Sequence, residues 1–327
     1  MTTDARILSA LRAAGTDWVS GADLAEQLGM TRAAVWAHIQ ELRGLGFEIE
    51  ASPHRGYRLL RSPDRLLADD LVARLAGQVK VIGRDIRVFT RTSSTNDVVE
   101  KLARDGVAEG VVVFAEEQTS GRGRLGRTWV SPAGKGLWFS VLLRPRLRPD
   151  EATQVTVAAA AALCRALRRE TGLPVAVKWP NDLTCRGRKL VGLLTELNAD
   201  PDSIRHVILG IGVDVNLERG DFPPDLREIA TSLRLELGHP LDRPQLAAAL
   251  LRALDEDYGR LGRGEFRSLA DEWARYCTTL GRRVTIVWGT RRLEGWAEAL
   301  DDSGALLVRT DHGHLERVLG GDVTLER

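Results

Sequence analysis

The chain has 327 residues, 46 basic against 45 acidic side chains, a net charge of +1 and 43% apolar residues. That length exceeds what one hydrophobic core usually serves, so two or three domains are expected, and the near-neutral balance removes any chain-wide field that would draw nucleic acid or membrane. No apolar run approaches the roughly 20 residues of a bilayer span, residues 1–6 lack the features of a signal peptide, and three scattered cysteines (Cys164, Cys185, Cys277) match no zinc spacing, so reduced thiols and a cytoplasmic protein are expected.

In chain order, the first 60 residues read as short helices and a hairpin. Ile7, Leu8 and Leu11 share one helical face. Ser20 is placed to cap a second helix carrying Leu24, Ala25 and Leu28, which Gly29 stops. Thr31 is placed to cap a third, with Val35, Ile39 and Leu42 inward and Gly44 and Gly46 at its end. Residues 47–50 alternate, 53–56 turn and 57–60 return, the outline of a winged helix–turn–helix. Residues 61–66, with Ser62-Pro63-Asp64, read as a linker.

From about 67 the pattern becomes mixed α/β. Strands are expected at 111–115, 137–143 and 207–213, and helices at 95–105, 151–171 and 243–262, without strict βαβ alternation. After Leu280-Gly281 short strands take over at 284–288, 292–297 and 306–309. A turn at Asp302-Ser303-Gly304 separates two of them, and the whole suits a small β-barrel.

Three stretches carry chemistry. Gly121-Arg122-Gly123-Arg124-Leu125-Gly126-Arg127-Thr128-Trp129 sets three glycines and three arginines together, a composition suited to a phosphate or carboxylate. It lacks the Gly-Lys-Ser/Thr ending of a Walker loop, and by itself it is as readily a solvated turn. Lys178-Trp179-Pro180-Asn181-Asp182 could orient a hydrated Mg²⁺, but Asn-Asp is also ordinary turn chemistry. Lys189, ahead of Leu190-Val191-Gly192-Leu193-Leu194, either snorkels or serves an anion. Ser94-Thr95-Asn96 opens a helix, as a cap or as a polar ligand site.

Ser93–Asp97, Glu117–Arg124, Lys178–Asp182, Arg188–Gly192 and Gly210–Asn216 stand in the order and spacing of the biotin–protein ligases, which the chain resembles over residues 90–220. The three-part outline extends the resemblance to nearly the whole chain: a winged helix–turn–helix (1–62), a catalytic α/β domain (67–275) and an SH3-like β-barrel (278–327). The resemblance implies that biotin is activated by ATP, with Mg²⁺, to biotinyl-5'-AMP and transferred to a lysine of biotin carboxyl carrier protein. It implies a biotin site of Ser94, Thr95, Asn96, Gln118, Gly121, Arg122, Gly123, Arg124, Trp129, Lys189, Gly192, Gly210 and Gly212. Arg124, Arg127, Lys178, Asn181 and Asn216 are implied at the nucleotide, Asp182 at the metal, and Lys189 and Arg124 as catalytic. Phe222-Pro223-Pro224-Asp225-Leu226 resembles a segment that orders over the adenylate. Asp214 departs from the Asn frequent in the family, and Leu125 from a basic residue in some members.

The N-terminal domain is that of the family's regulatory subset, which implies repression at an operator of biotin genes. Thr31, Arg32, Ala33 and Ala34 are placed to enter the major groove, with Arg43 and Arg55 on helix and wing. Residues 1–62 hold seven arginines against seven acids, so few phosphate contacts per protomer are expected, and a homodimer is expected when adenylate is bound. Two other readings remain: a ligand-sensing regulator without chemistry, which would not need Lys189, Asn181 or Asp182, and a lipoate-type ligase, whose motifs differ from Gly-Arg-Gly-Arg and Lys-Trp-Pro-Asn-Asp.

Overall fold

The computed structural model describes residues 1–325; the expected C-terminal bound at 327 falls on residues 326–327, outside those described. Helices α1 (Thr3–Ala13), α2 (Gly21–Leu28) and α3 (Arg32–Gly44) and the hairpin β1 (Glu48–Ser52) and β2 (Gly56–Arg61) build the N-terminal unit. Ser20 accepts from the Ala22 and Asp23 amides, Gly29 closes α2 at φ 67°, and Thr31 accepts from the Ala34 amide, as the capping pattern predicts. Ile7, Leu8, Val35 and Ile39 are wholly buried in its core, each worth roughly 1.5–3 kcal/mol relative to exposure. Gly56 sits at φ +100°, and a Cβ there would lie 2.0 Å from the Val19 carbonyl, so the wing turns against the chain before α2 only with glycine.

The linker is pinned, not loose. Arg243 donates from its amide to Asp64 Oδ1 (3.0 Å) and from Nη2 to the Asp64 carbonyl (2.9 Å), and the Leu66 amide donates to Glu116 (2.8 Å). The next helix, α4 (Ala68–Leu75), which the sequence did not signal, adds Ala73 to the N-terminal core, and its Asp70 pairs with Arg12 of α1.

The central unit contains β3 (Asp85–Thr92), α5 (Thr95–Arg104), β4 (Val111–Gln118), β5 (Leu137–Leu143), α6 (Thr153–Thr171), β6 (Val175–Lys178), β7 (Asp182–Cys185), β8 (Arg188–Ala199), β9 (Ile204–Val213), α7 (Leu233–Leu237), α8 (Arg243–Gly262) and α9 (Phe266–Tyr276). Its strands form one mixed sheet in the order β3-β4-β5-β9-β8-β7-β6, with β3–β4 parallel and the other pairs antiparallel. On one face the alanine run 158–162 of α6 lets that helix pack closely under Phe114, Phe139, Leu209 and Ile211, with α8 and α9 behind it. On the other face α5 covers Val111, Val113, Leu142 and Ile208, leaving the β8 side of the sheet open.

The C-terminal unit is β10 (Arg283–Trp288), β11 (Arg291–Leu300), β12 (Leu306–Arg309), β13 (Leu315–Val318) and β14 (Asp322–Leu325), antiparallel in the order β13-β12-β11-β10-β14. The two edge strands are consecutive in the chain. Val318 and Asp322 are four Cα–Cα steps apart, at most about 15 Å, whereas five flat strands would separate the edges by about 19 Å. The sheet must therefore curl, which is the expected barrel. No helix among the described residues is long and apolar enough to cross a membrane.

Candidate active site and DNA interface

Side chains alternate between the faces of a strand. On β8 and β9, Val191, Leu193, Leu209, Ile211 and Val213 enter the helical core, so Gly192, Gly210 and Gly212 fall on the open face. A Cβ at Gly192 would lie 2.6 Å from the Trp129 ring and one at Gly212 2.5 Å from it, while one at Gly210 would lie 2.3 Å from Asn96 Oδ1. The glycines are what let an indole and an amide lie flat on the sheet. The Trp129 Nε1–H is buried with no acceptor among the described residues.

Around this floor lies a cavity of about 1050 Å³. One wall is a closed polar chain. The Thr95 amide and hydroxyl donate to Gln118 Oε1 (2.8 and 3.1 Å), the Thr95 and Ser140 hydroxyls are 2.7 Å apart, Ser140 donates to Asn96 Oδ1 (2.5 Å), and Asn96 Nδ2 donates to Glu196 (2.6 Å). Ser94 holds the N-cap position of α5 without a side-chain capping bond, and lines the cavity.

The Gly/Arg loop crosses the opening, and each arginine is fastened to a different body. Arg122 pairs with Asp97 of α5 and Glu196 of β8, Arg124 donates to Asn181 Oδ1 (3.0 Å), and Arg127 pairs with Asp322 of β14. Trp129 and Gly121 close the loop's neck by an amide–carbonyl bond of 2.8 Å; Gly121 itself does not line the cavity, and a Cβ there would meet the Trp129 carbonyl at 2.4 Å. Lys189 Nζ lies 5.2 Å from the Trp129 ring centroid and 2.7 Å from Asp182 Oδ1. Its backbone is held on both sides by the 229–231 segment, at 2.8 Å each. Arg124 and Lys178 line the cavity with no acidic partner within ion-pair reach among the described residues.

A divalent ion would find Asp182 here. One carboxylate suits Mg²⁺, which keeps most of its shell for water and substrate phosphates. Asn181 does not fit that role: its oxygen takes Arg124 and its Nδ2 donates to the Leu193 carbonyl at 2.6 Å. Asn216, expected at the nucleotide, lies outside the cavity lining. It donates to the Leu241 carbonyl, accepts from the Leu241 amide (both 2.9 Å) and reaches Asp64, which makes it a brace for the linker.

Phe222, Pro223 and Leu226, from the segment expected over the adenylate, line the cavity, and Phe222 and Leu226 pack in one cluster with Trp129. Two features were not placed from sequence: residues 321–324 of the C-terminal unit also line the cavity, with no sequence signal, and the setting of Asp214 was not foreseen. Asp214 is 4% exposed, lines the cavity, and its carboxyl meets no donor among the described residues. Burial pushes it well above the usual carboxylate range, with Lys189 pulling the other way.

In the N-terminal unit Thr31, Arg32 and Ala33 are exposed at the start of α3 and Ala34 is half-buried. Arg55 stacks on the Trp18 ring at 4.2 Å. Arg43 is not brought to them: it lies about 16 Å along the helix from Arg32 and donates twice to the Ile49 carbonyl.

Comparison with known proteins agrees with this layout. Residues 4–58 match a model of a helix–turn–helix domain, 88–214 the biotin/lipoate A/B protein ligase family, and 279–325 a biotin protein ligase C-terminal domain. The chain is 35% identical over 312 residues to the bifunctional ligase/repressor BirA of Bacillus subtilis, covering 95% of each chain. It is 32% identical over 319 residues to the Escherichia coli protein of the same name, covering 97% of this chain and 96% of that one. The biotin protein ligase of Aquifex aeolicus in complex with biotin and ATP superposes with a TM-score of 0.63 at 29% identity, over 75% of this chain and 99% of that one.

Proposed function

This chain belongs to the biotin–protein ligases, in their bifunctional ligase/repressor form, and from that membership we infer how its residues divide the reaction. The protein activates biotin with ATP to biotinyl-5'-AMP, transfers biotin to a lysine of biotin carboxyl carrier protein, and carries a helix–turn–helix that makes it a biotin-responsive repressor. The regulator without chemistry and the lipoate-type ligase both give way to this reading.

The observation that carries the site assignment is the slot floored by Gly192 and Gly212, where Trp129 lies flat with the Lys189 ammonium 5.2 Å from its ring. Biotin lies against this indole, walled by Ser94, Thr95, Asn96 and Gln118, with its carboxylate toward Lys189. ATP lies toward Arg124, Lys178 and the 321–324 rim. Arg124 has no acid of its own, so its full charge is available to phosphate; Lys189 must leave Asp182 to meet an anion. Asp182 would hold a divalent ion, which when bound would supply charge neutralisation for the phosphates.

In the first step a biotin carboxylate oxygen bonds to the α-phosphorus and the bond to pyrophosphate breaks. Fixed cations relieve the repulsion of the two anions, and the cavity holds them in line. In the second, the neutral amine of the carrier lysine attacks the carbonyl, AMP leaves and the amine's proton passes to solvent. The strapped Gly/Arg loop keeps water from the adenylate in between. The repressor form is a cytoplasmic homodimer that assembles when adenylate is bound and no carrier takes it.

The test is pyrophosphate release from the full chain given biotin and Mg·ATP without carrier. A single turnover that leaves biotinyl-AMP bound is expected, and Lys189→Ala should slow it about ten- to a hundredfold, the worth of one charged hydrogen bond. No biotin-dependent release by the wild type, or an unchanged rate in the variant, refutes the assignment.

A further inference from the structure

The outer face of α3 carries a residue that the protein's own core does not use. Trp36 is 56% exposed, and it is the one large apolar side chain exposed along α3 among the described residues. Arg32 precedes it by four residues and Gln40 follows by four, so the three stand in one row on the helix surface. Ala33 and Ala37 beside them are exposed and short, leaving the row raised above its surroundings.

The indole is also oriented. With the Gln40 amide oxygen turned to its donors, it accepts from Trp36 Nε1–H at 3.3 Å and from Arg43 at 3.0 Å. Arg43 is in turn anchored to the Ile49 carbonyl of the wing at 2.9 Å. Arg32 and Arg55 have no acidic partner among the described residues, and Arg55 is held against Trp18. Arg58, on the same ring, is already neutralised by Glu50 at 2.6 Å.

A lone oriented ring among short alanines is too small for an apolar protein interface. It matches what a major groove offers: a narrow wall of base edges, where thymine presents a methyl group as its apolar mark. We propose that Trp36 is a base-reading residue whose ring lies against the 5-methyl of a thymine in each half-site, with Arg32 and Arg55 on flanking phosphates. This rests on the DNA-binding reading of the N-terminal unit given above.

The experiment removes the methyl alone. Duplexes selected by the full-length protein, with biotin and Mg·ATP, from a random-sequence pool are remade with each thymine replaced singly by deoxyuridine. At one position per half-site the wild type should lose about fourfold in affinity, the worth of one buried methyl. Trp36→Ala should be indifferent to that replacement while biotinylating carrier at the wild-type rate. Arg32→Ala should keep the deoxyuridine effect and lower the salt slope by about 0.9 per protomer. Wild type indifferent to every thymine methyl, or Trp36→Ala keeping the same sensitivity, overturns the inference and leaves DNA binding standing. If no duplex is enriched, the DNA-binding reading itself fails and this inference with it.

Discussion

At the scale of single residues, the three glycines of the cavity floor were legible as motif positions, but their purpose was not. Periodicity assigns Gly192 and Gly212 to one face of a strand; only the fold shows Trp129 lying on them. Gly212→Ala is therefore expected to fold, since φ at this position needs no glycine, and to push the indole off the sheet. Biotin affinity measured by calorimetry should fall at least about tenfold with little change in melting temperature. Unchanged affinity would mean that biotin does not lie against this indole. Asn216 marks the opposite failure. It belongs to a motif and yet braces the linker through Leu241 and Asp64; a polar side chain buried after a strand gives no sign in sequence of whom it serves. Asp214 yields a pH prediction. Its carboxyl ionises near pH 4 in the unfolded chain, and burial pushes the folded value well above that. Between the two values the native state binds more protons than the unfolded state. The stability linked to Asp214 is thus fully present below about pH 4 and lost as pH rises through the folded value. Asp214→Asn should resist urea better than the wild type at about pH 8 and show no such advantage near pH 4. An advantage equal at both would contradict a buried, proton-holding carboxyl.

At the scale of elements, capped and strongly periodic segments were legible. The second and third N-terminal helices end where Ser20, Gly29 and Thr31 put their boundaries, and the helix at 243–262 runs over the expected residues. What was not read has physical reasons. β6 and β7 have four residues each, too few for a period to show. β3 is an edge strand with half of its alternation exposed. α9 buries Phe266, Leu269 and Trp273 on one stripe, a helical spacing present in the sequence but passed over. The composition of the Gly/Arg loop suits an anion; the structure adds its fastenings, of which Arg127–Asp322 reaches the C-terminal unit. Since both partners are substantially exposed, that pair holds little energy, and its breakage should act on closure and not on stability. Arg127→Ala is expected to raise the biotinyl-AMP released to solvent per biotin transferred, at an unchanged denaturation midpoint. An unchanged ratio, measured with labelled biotin at limiting carrier, would remove the strap from the account.

At the scale of the whole molecule, the central and C-terminal units share one cavity, and the N-terminal unit is tied to the central one through the linker and α4. The C-terminal barrel supplies the cavity rim at 321–324, and Asp64 and Leu66 tie the linker to Arg243 and Glu116 beneath the ligase sheet. The sequence outlined three units in a row; contacts between units, made by residues nearly 200 positions apart, carry no local signal. The neutral N-terminal unit bears two arginines free of acids on its reading face, Arg32 and Arg55, so each protomer should neutralise about two phosphates. The slope of log affinity against log salt should be about −1.8 per protomer and twice that for a two-fold pair, and the pair should form when biotin and ATP are supplied. A slope far steeper than −4 would place the DNA on another surface. The central claim is narrower and can be met head-on: this cavity joins biotin to a carrier. Labelled biotin or labelled lipoate is incubated with the full chain, Mg·ATP and a biotin carboxyl carrier domain, and label on the carrier is counted. The account predicts ATP-dependent labelling of a single carrier lysine by biotin and none by lipoate; no labelling by biotin, or equal labelling by lipoate, would contradict it.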